Sequence, residues 1–231
     1  MPTTSSPTSE QPSNGFSATA LAAWLGIAAI QIALAFWSAT LDDPETEPLY
    51  EYELAIGSLV LYGILVGVTF WIASAYPDRS EALGLRSYSW RWLWVGAGIV
   101  VASIVVAVAL EPVLHAGEEQ GLSPDAWQPE HANAFLLNSI VLVTLTPFAE
   151  ELFFRGLGVW VLGSFGSGVA VGGTALAFGL AHGLFVALPP LLVIGAGLAW
   201  IRLRSGSVWP GVIAHAAYNG VAVVILFATL E

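Results

Sequence analysis

"NAFLLNSIVLVTLTPFAEELFFRGLGVWVLG", residues 133–163, is a 31-residue apolar stretch that carries Glu150, Glu151 and Arg155 in its middle. Whether it crosses a membrane once or doubles back as a hairpin decides the topology of everything around it. At 1.5 Å per residue it is long enough for one tilted helix or for two half-helices. Pro147 removes a backbone donor and crowds the preceding turn, so a kink is expected near it.

The rest of the chain is equally apolar. Of its 231 residues 56% are hydrophobic and 10% charged, and the mean hydropathy is +0.75. Those values lie outside the range of soluble domains and identify a membrane protein. Long apolar runs fall at roughly 17–40, 53–75, 91–114, 168–186, 189–204 and 207–230 in addition to 133–163. The short alternating segments of a membrane barrel are absent. The expected fold is therefore all-α, a polytopic transmembrane bundle of about seven spans, within a range of six to eight.

The reading of residues 1–15, "MPTTSSPTSEQPSNG", is a disordered tail rich in Pro, Ser and Thr, followed by one transmembrane domain over 16–231. The first apolar run is too long for a signal-peptide core and lacks a preceding basic region, so it is expected to be retained. There are no cysteines, which excludes disulfides, thiolate metal sites and a cysteine nucleophile. No feature suggests a nucleic-acid partner.

Charge resolves the topology. Arg79, Arg86 and Arg91 lie between spans two and three, and Arg202 and Arg204 follow span six. If 133–163 crosses once, both clusters fall on one side, as the positive-inside rule requires; a hairpin would separate them. A single crossing gives seven spans with the amino terminus inside, and puts Trp90, Trp92, Trp94, Trp200 and Trp209 in one interfacial belt. The chain has 17 acids, six arginines and no lysine, for a net charge of −11. An acidic exterior of this kind suits high salt, which leads to an expected location in the cell membrane of a halophilic prokaryote.

Ionisable groups at mid-membrane are costly, at least about 2.5 kcal/mol each on insertion scales, and need a reason. Glu151 and Arg155 have the four-residue spacing and order of a helical ion pair, which leaves Glu150 about 100° away without that partner. The three charges could form an ionic knot that fixes packing, or supply a carboxylate for acid–base chemistry. Other polar residues bear on the choice. "AFGLAHGLF" sets Phe178 and His182 one turn apart, and "VIAHAAYNG" does the same for His215 and Asn219. Counted from the arginine side, Glu150 is expected about 20 Å deep, His182 about 21 Å, His215 about 12 Å and Asn219 about 18 Å, so the four can meet. Gln31 and Asn138 are read as interhelical hydrogen-bonding residues, and His115 and His131 as solvated. "GSFGSGVAVGG", 163–173, lacks the strand a dinucleotide fingerprint needs and is read as a tight turn with close helix packing.

Glu-Glu-x-x-x-Arg at 150–155, Phe-x-x-x-His at 178–182 and His-x-x-x-Asn at 215–219 together resemble the three motifs of the CPBP family of intramembrane proteases, which includes CAAX prenyl proteases of type 2 and bacteriocin-processing or abortive-infection-like proteins. The resemblance covers about 133–225. It implies that Glu150 activates water with help from His182, that His215 and Asn219 stabilise the oxyanion, and that Glu151, Arg155 and Phe178 support them. Physics alone leaves open which glutamate is the base, since either could turn toward a cavity at the kink. The implied substrate is a membrane-associated peptide or lipidated protein, cut within or at the lipid bilayer. The resemblance favours a mechanism without a cofactor. Glu150, His182 and His215 could alternatively bind zinc, although His-Glu-x-x-His is absent. A non-proteolytic immunity or binding protein and an ion transporter are the rival classes. The gathering of polar groups in one cluster, with no internal repeat, favours the protease.

Overall fold

The computed structural model describes residues 17–41, 47–115, 124 and 126–230. The expected disorder of 1–15 lies outside the described residues. Every regular element among them is helical: α1 (Ala18–Ser38), α2 (Tyr52–Ala73), a short α3 (Arg79–Leu83), α4 (Arg91–Leu114), a long compound α5 (Pro129–Gly163), α6 (Ser167–Leu180), α7 (Leu188–Ser205) and α8 (Trp209–Thr229). Five of these, α1, α2, α4, α5 and α8, are long and apolar enough to cross a bilayer. With α6 and α7 between α5 and α8, the seven expected segments are all present. Outward-facing side chains such as Val101, Val105 and Val108 on α4 are exposed and apolar, which suits a lipid surround.

Residues 129–163 form one continuous but irregular helix. Pro147 cannot donate to the carbonyl four residues earlier, and the chain departs from α geometry at Thr144 (φ −115, ψ −66). From Glu151 to Gly158 the helix widens into a π-type turn, with all eight residues buried. The wide turn has support from outside itself. Trp24 Nε1 on α1 donates to the Phe153 carbonyl at 3.1 Å, and its ring stacks on Phe153. Gly158 admits that indole, because a Cβ there would come within 2.8 Å of it, and Gly156 sits against the Leu83 carbonyl oxygen, 2.9 Å from where a Cβ would be. Gly156→Ala is expected to destabilise the protein by about 1–3 kcal/mol, since rigid backbone must move. Thermal unfolding in detergent would measure it.

The two arginine clusters lie at one end of the bundle. Arg202 Nη2 donates to the carbonyls of Glu81 and Ala82 at 3.0 and 3.4 Å, Ser207 Oγ to that of Arg86 at 2.7 Å, and Val208 N to that of Gly84 at 2.9 Å. Gly84 is left-handed (φ +68), and a Cβ there would collide with the Arg202 guanidinium. This arrangement agrees with a single crossing by α5. At the other end Asn138 Nδ2 donates to the carbonyls of Leu49 and Glu51 at 3.0 and 2.8 Å, tying α5 to the entry of α2 as expected of it. Tyr50 Oη donates to the Ala126 carbonyl at 2.9 Å.

Three expectations are corrected. Trp92 is buried edge-on against Trp200, leaving Trp90, Trp94, Trp200 and Trp209 with exposed rings. Gln31 Nε2 is buried with no hydrogen-bond partner, so Gln31 does not link helices through that atom. The fifth span ends at Leu180 rather than 186, because Gly183 turns with φ +71 against the Ala35 carbonyl and Pro189 and Pro190 open the next helix. The small-residue stretch behaves as read: Gly166 makes the turn at φ +106, and Gly173 packs on Leu162. His115 and His131 are exposed.

Candidate active site

The buried charges occupy the first turn of the widened segment of α5. Arg155 Nη1 donates to Glu151 Oε1 at 2.7 Å and Nη2 to the Gly195 carbonyl of α7 at 3.2 Å, and both charged side chains are wholly buried. The guanidinium lies over the Phe178 ring, 4.0 Å from its centroid, so its cost of burial is offset by an ion pair, a carbonyl and a π face. Glu151 also faces α8. His215 Nδ1 is 3.1 Å from Glu151 Oε1, and a Cβ at Gly211, one turn earlier, would come within 2.8 Å of Glu151 Oε2. The absence of a side chain at 211 is what lets α8 close on the carboxylate.

Glu150 projects from α5 toward α2 and is 8% exposed. Tyr62 Oη donates to its Oε1 at 2.9 Å. Its Oε2 is buried without a hydrogen-bond partner and lies 3.8 Å from His215 Nε2. That distance is too long for a hydrogen bond, yet an oxygen atom seated to one side of the pair, at about 2.8 Å from each, could bond to both. One chain of contacts thus runs from Tyr62 through Glu150, His215, Glu151 and Arg155 to the carbonyl of Gly195.

Phe178 and His182 form the adjoining wall. The Phe178 ring is edge-on to His182 at 4.6 Å and to His215 at 5.5 Å. His182 lies in the turn after α6, where Nδ1 is 2.8 Å from the Phe178 carbonyl oxygen. Because a carbonyl only accepts, Nδ1 carries a proton, and in the neutral ring Nε2 then holds the lone pair. His182 makes no hydrogen bond to Glu150. Asn219 Nδ2 donates to the Leu142 carbonyl at 2.9 Å, beside the kink in α5. The structure therefore joins Glu150, Glu151, Arg155 and His215 directly, links His182 through Phe178, and sets Asn219 against the bend that aims Glu150.

Two residues of the cluster escaped the sequence reading. Tyr62 holds Glu150, and Gly211 makes room for Glu151. The hydroxyls at Ser58, Tyr62 and Thr69 share one face of α2, a signal available from spacing alone. Among the described residues no three His, Cys, Asp or Glu side chains converge as a metal-ligand set. Positive charge beside the carboxylates comes from Arg155.

A cleft of about 320 Å³ reaches Glu150 and Tyr62 between α1, α2 and the end of α6.

Residues 132–221 match the family model described as type II CAAX prenyl endopeptidase Rce1-like. The match supports a CPBP-family intramembrane protease and, at family level, a CAAX-protease-like endopeptidase. The matched segment contains Glu150, Glu151, Arg155, Phe178, His182, His215 and Asn219 but neither Tyr62 nor the walls supplied by α1 and α2. No curated protein and no solved structure matches the chain significantly.

Proposed function

We propose that the protein hydrolyses a peptide bond of a membrane-inserted or lipidated peptide, with Glu150 as the general base. The observation that carries this reading is the facing pair of Glu150 Oε2 and His215 Nε2, 3.8 Å apart, with Oε2 holding no hydrogen bond. A water bound between them is polarised by the imidazole and gives its proton to the carboxylate as its oxygen attacks the scissile carbonyl carbon. The amine leaves with that proton. Glu151 and Arg155 fix the ring of His215 in orientation, and Tyr62 fixes the carboxylate of Glu150. His182, with Nε2 free to accept, assists proton movement on the cleft side. The second amide proton of Asn219 is the candidate oxyanion donor, joined by His215 when its Nε2 is protonated, since Nδ1–H is given to Glu151.

No cofactor is required by this scheme. A zinc form would use Glu150 with Nε2 of His182 and of His215; their Nδ1 atoms are engaged by the Phe178 carbonyl and by Glu151, the outer contacts that such ligands carry, so metal removal is what separates the two schemes. The deciding experiment incubates purified protein, stripped with chelator, with lipidated and transmembrane peptides and reads products by mass spectrometry. Cleavage that survives metal removal is expected. Loss on stripping with recovery in zinc would replace the glutamate scheme by the metal one, and absence of any product would remove the protease assignment for this chain. Tyr62→Phe should lower kcat on the order of tenfold with little change in KM, the worth of one hydrogen bond to a charged group.

A further inference from the structure

Among the described residues lining the cleft beside Glu150, two buried polar atoms make no hydrogen bond. One is Glu150 Oε2, an acceptor; the other is Nε2 of Gln31 on α1, a donor. The hydroxyls of the same lining are engaged: Tyr62 Oη donates to Glu150 at 2.9 Å and Ser38 Oγ to the Ala35 carbonyl at 2.9 Å. A buried amide donor without an acceptor opposes folding, so its presence in a helix long and apolar enough to cross a bilayer calls for a partner outside the chain.

Gln31 also stands where the cleft meets a groove. A cavity of about 210 Å³ between α1 and α2 shares Gln31, Leu34 and Leu61 with the cleft, and seven of its eight lining side chains are aliphatic, the eighth being Gln31. Ile27, Gln31 and Leu34 have the spacing of one face of α1, and Leu61, Leu65 and Val68 that of one face of α2. Ile30 and Ile64 at its lips are exposed, so the groove is open sideways to lipid. Beyond Val68 the space between the two helices continues to a further cavity at Ala20, Ala23 and Trp71. A chain segment entering from lipid can lay apolar side chains against Leu65 and Val68, but its peptide groups find no bonding partner on aliphatic walls. The donor at the junction with the cleft is Gln31.

We infer that Gln31 anchors the substrate: its Nε2 donates to a backbone carbonyl flanking the scissile bond and so registers that bond on Glu150. The contact lies away from the atoms that react, so it serves the ground state and the transition state alike and sets KM rather than kcat. That the bound carbonyl belongs to a substrate rests on the protease reading; the unbonded donor facing the cleft does not.

The probe is a farnesylated peptide ending in a C-a-a-X sequence, given to the purified full-length protein in dodecyl maltoside. Gln31→Leu removes the donor and continues the aliphatic wall. It is expected to raise KM roughly three- to tenfold, the worth of one neutral hydrogen bond, with kcat unchanged, and to unfold at the same or a higher temperature because an unbonded buried amide is gone. Thioamides, whose sulfur accepts weakly, are placed in turn at the positions flanking the scissile bond. At one of them the thioamide should raise KM for the wild type and not for Gln31→Leu, which ties the donor to that carbonyl. Binding of the same peptide to Glu150→Gln, with and without Gln31→Leu, should show the same loss of affinity without chemistry. A lower unfolding temperature for Gln31→Leu, an unchanged KM, or no binding of the probe would overturn the inference. So would thioamide effects identical in the two proteins at every position, which would give the donor to a carbonyl of lipid instead. A peptide that binds uncleaved by the wild type, and binds more weakly to Gln31→Leu, would leave the anchor standing and defeat the protease reading.

Discussion

Glu150→Gln is expected to cut peptide hydrolysis by at least about 10²-fold and up to about 10⁴-fold, the range that a positioned general base contributes. The amide keeps the shape of the carboxyl and can still accept from Tyr62 Oη, whose 2.9 Å contact with Oε1 anchors the side chain, but it cannot take a proton from water. Folding should be little changed, because Oε2 makes no hydrogen bond to lose. Glu150→Asp retains the charge and draws it back by one methylene, so partial activity is expected. The assay is turnover of one peptide by wild type and both variants at matched thermal stability. Unaltered turnover in Glu150→Gln with loss in Glu151→Gln would exchange the roles of the two glutamates.

Arg155→Met should be the most destabilising substitution in the cluster, by about 3–5 kcal/mol, because it leaves Glu151 charged, with only the His215 Nδ1 contact, where neither side chain reaches solvent. The interactions with Gly195 and Phe178 are lost with it. Adding Glu151→Gln removes the orphaned charge and should recover much of that stability. Activity should not return, since His215 Nδ1 then no longer faces a carboxylate. Thermal unfolding and turnover of the single and double variants separate the two contributions. Equal stability of the two would mean that the orphaned Glu151 charge is not what destabilises the single variant.

Much of this was legible in the chain because membranes restrict the options. Seven apolar segments read from composition became helices with nearly the expected bounds, and the arginines alone fixed a single crossing for 133–163. The pairing of Glu151 with Arg155, and the isolation of Glu150 from it, followed from helical spacing. What escaped depends on distant partners. The π-type turn has the same residues in the same order as an α-helix would, and its support comes from Trp24, 129 residues away from Phe153. Tyr62 acquired its role only once α2 packed beside α5 and its hydroxyl met Glu150. Gly211 acquired meaning only once Glu151 filled the space its missing Cβ leaves. The early end of α6 was hidden because "GLFVAL" is as apolar as a helix continuing to 186, and only the left-handed Gly183 stops it.

The most direct test of the central claim is an experimental structure of Glu150→Gln with an uncleaved peptide bound. The account predicts that the scissile carbonyl carbon lies in the cleft beside Tyr62, with a water roughly 3–3.5 Å from it, a near-attack distance, and held between residue 150 and His215. A peptide seated elsewhere, or a scissile bond beyond reach of that water, would contradict it.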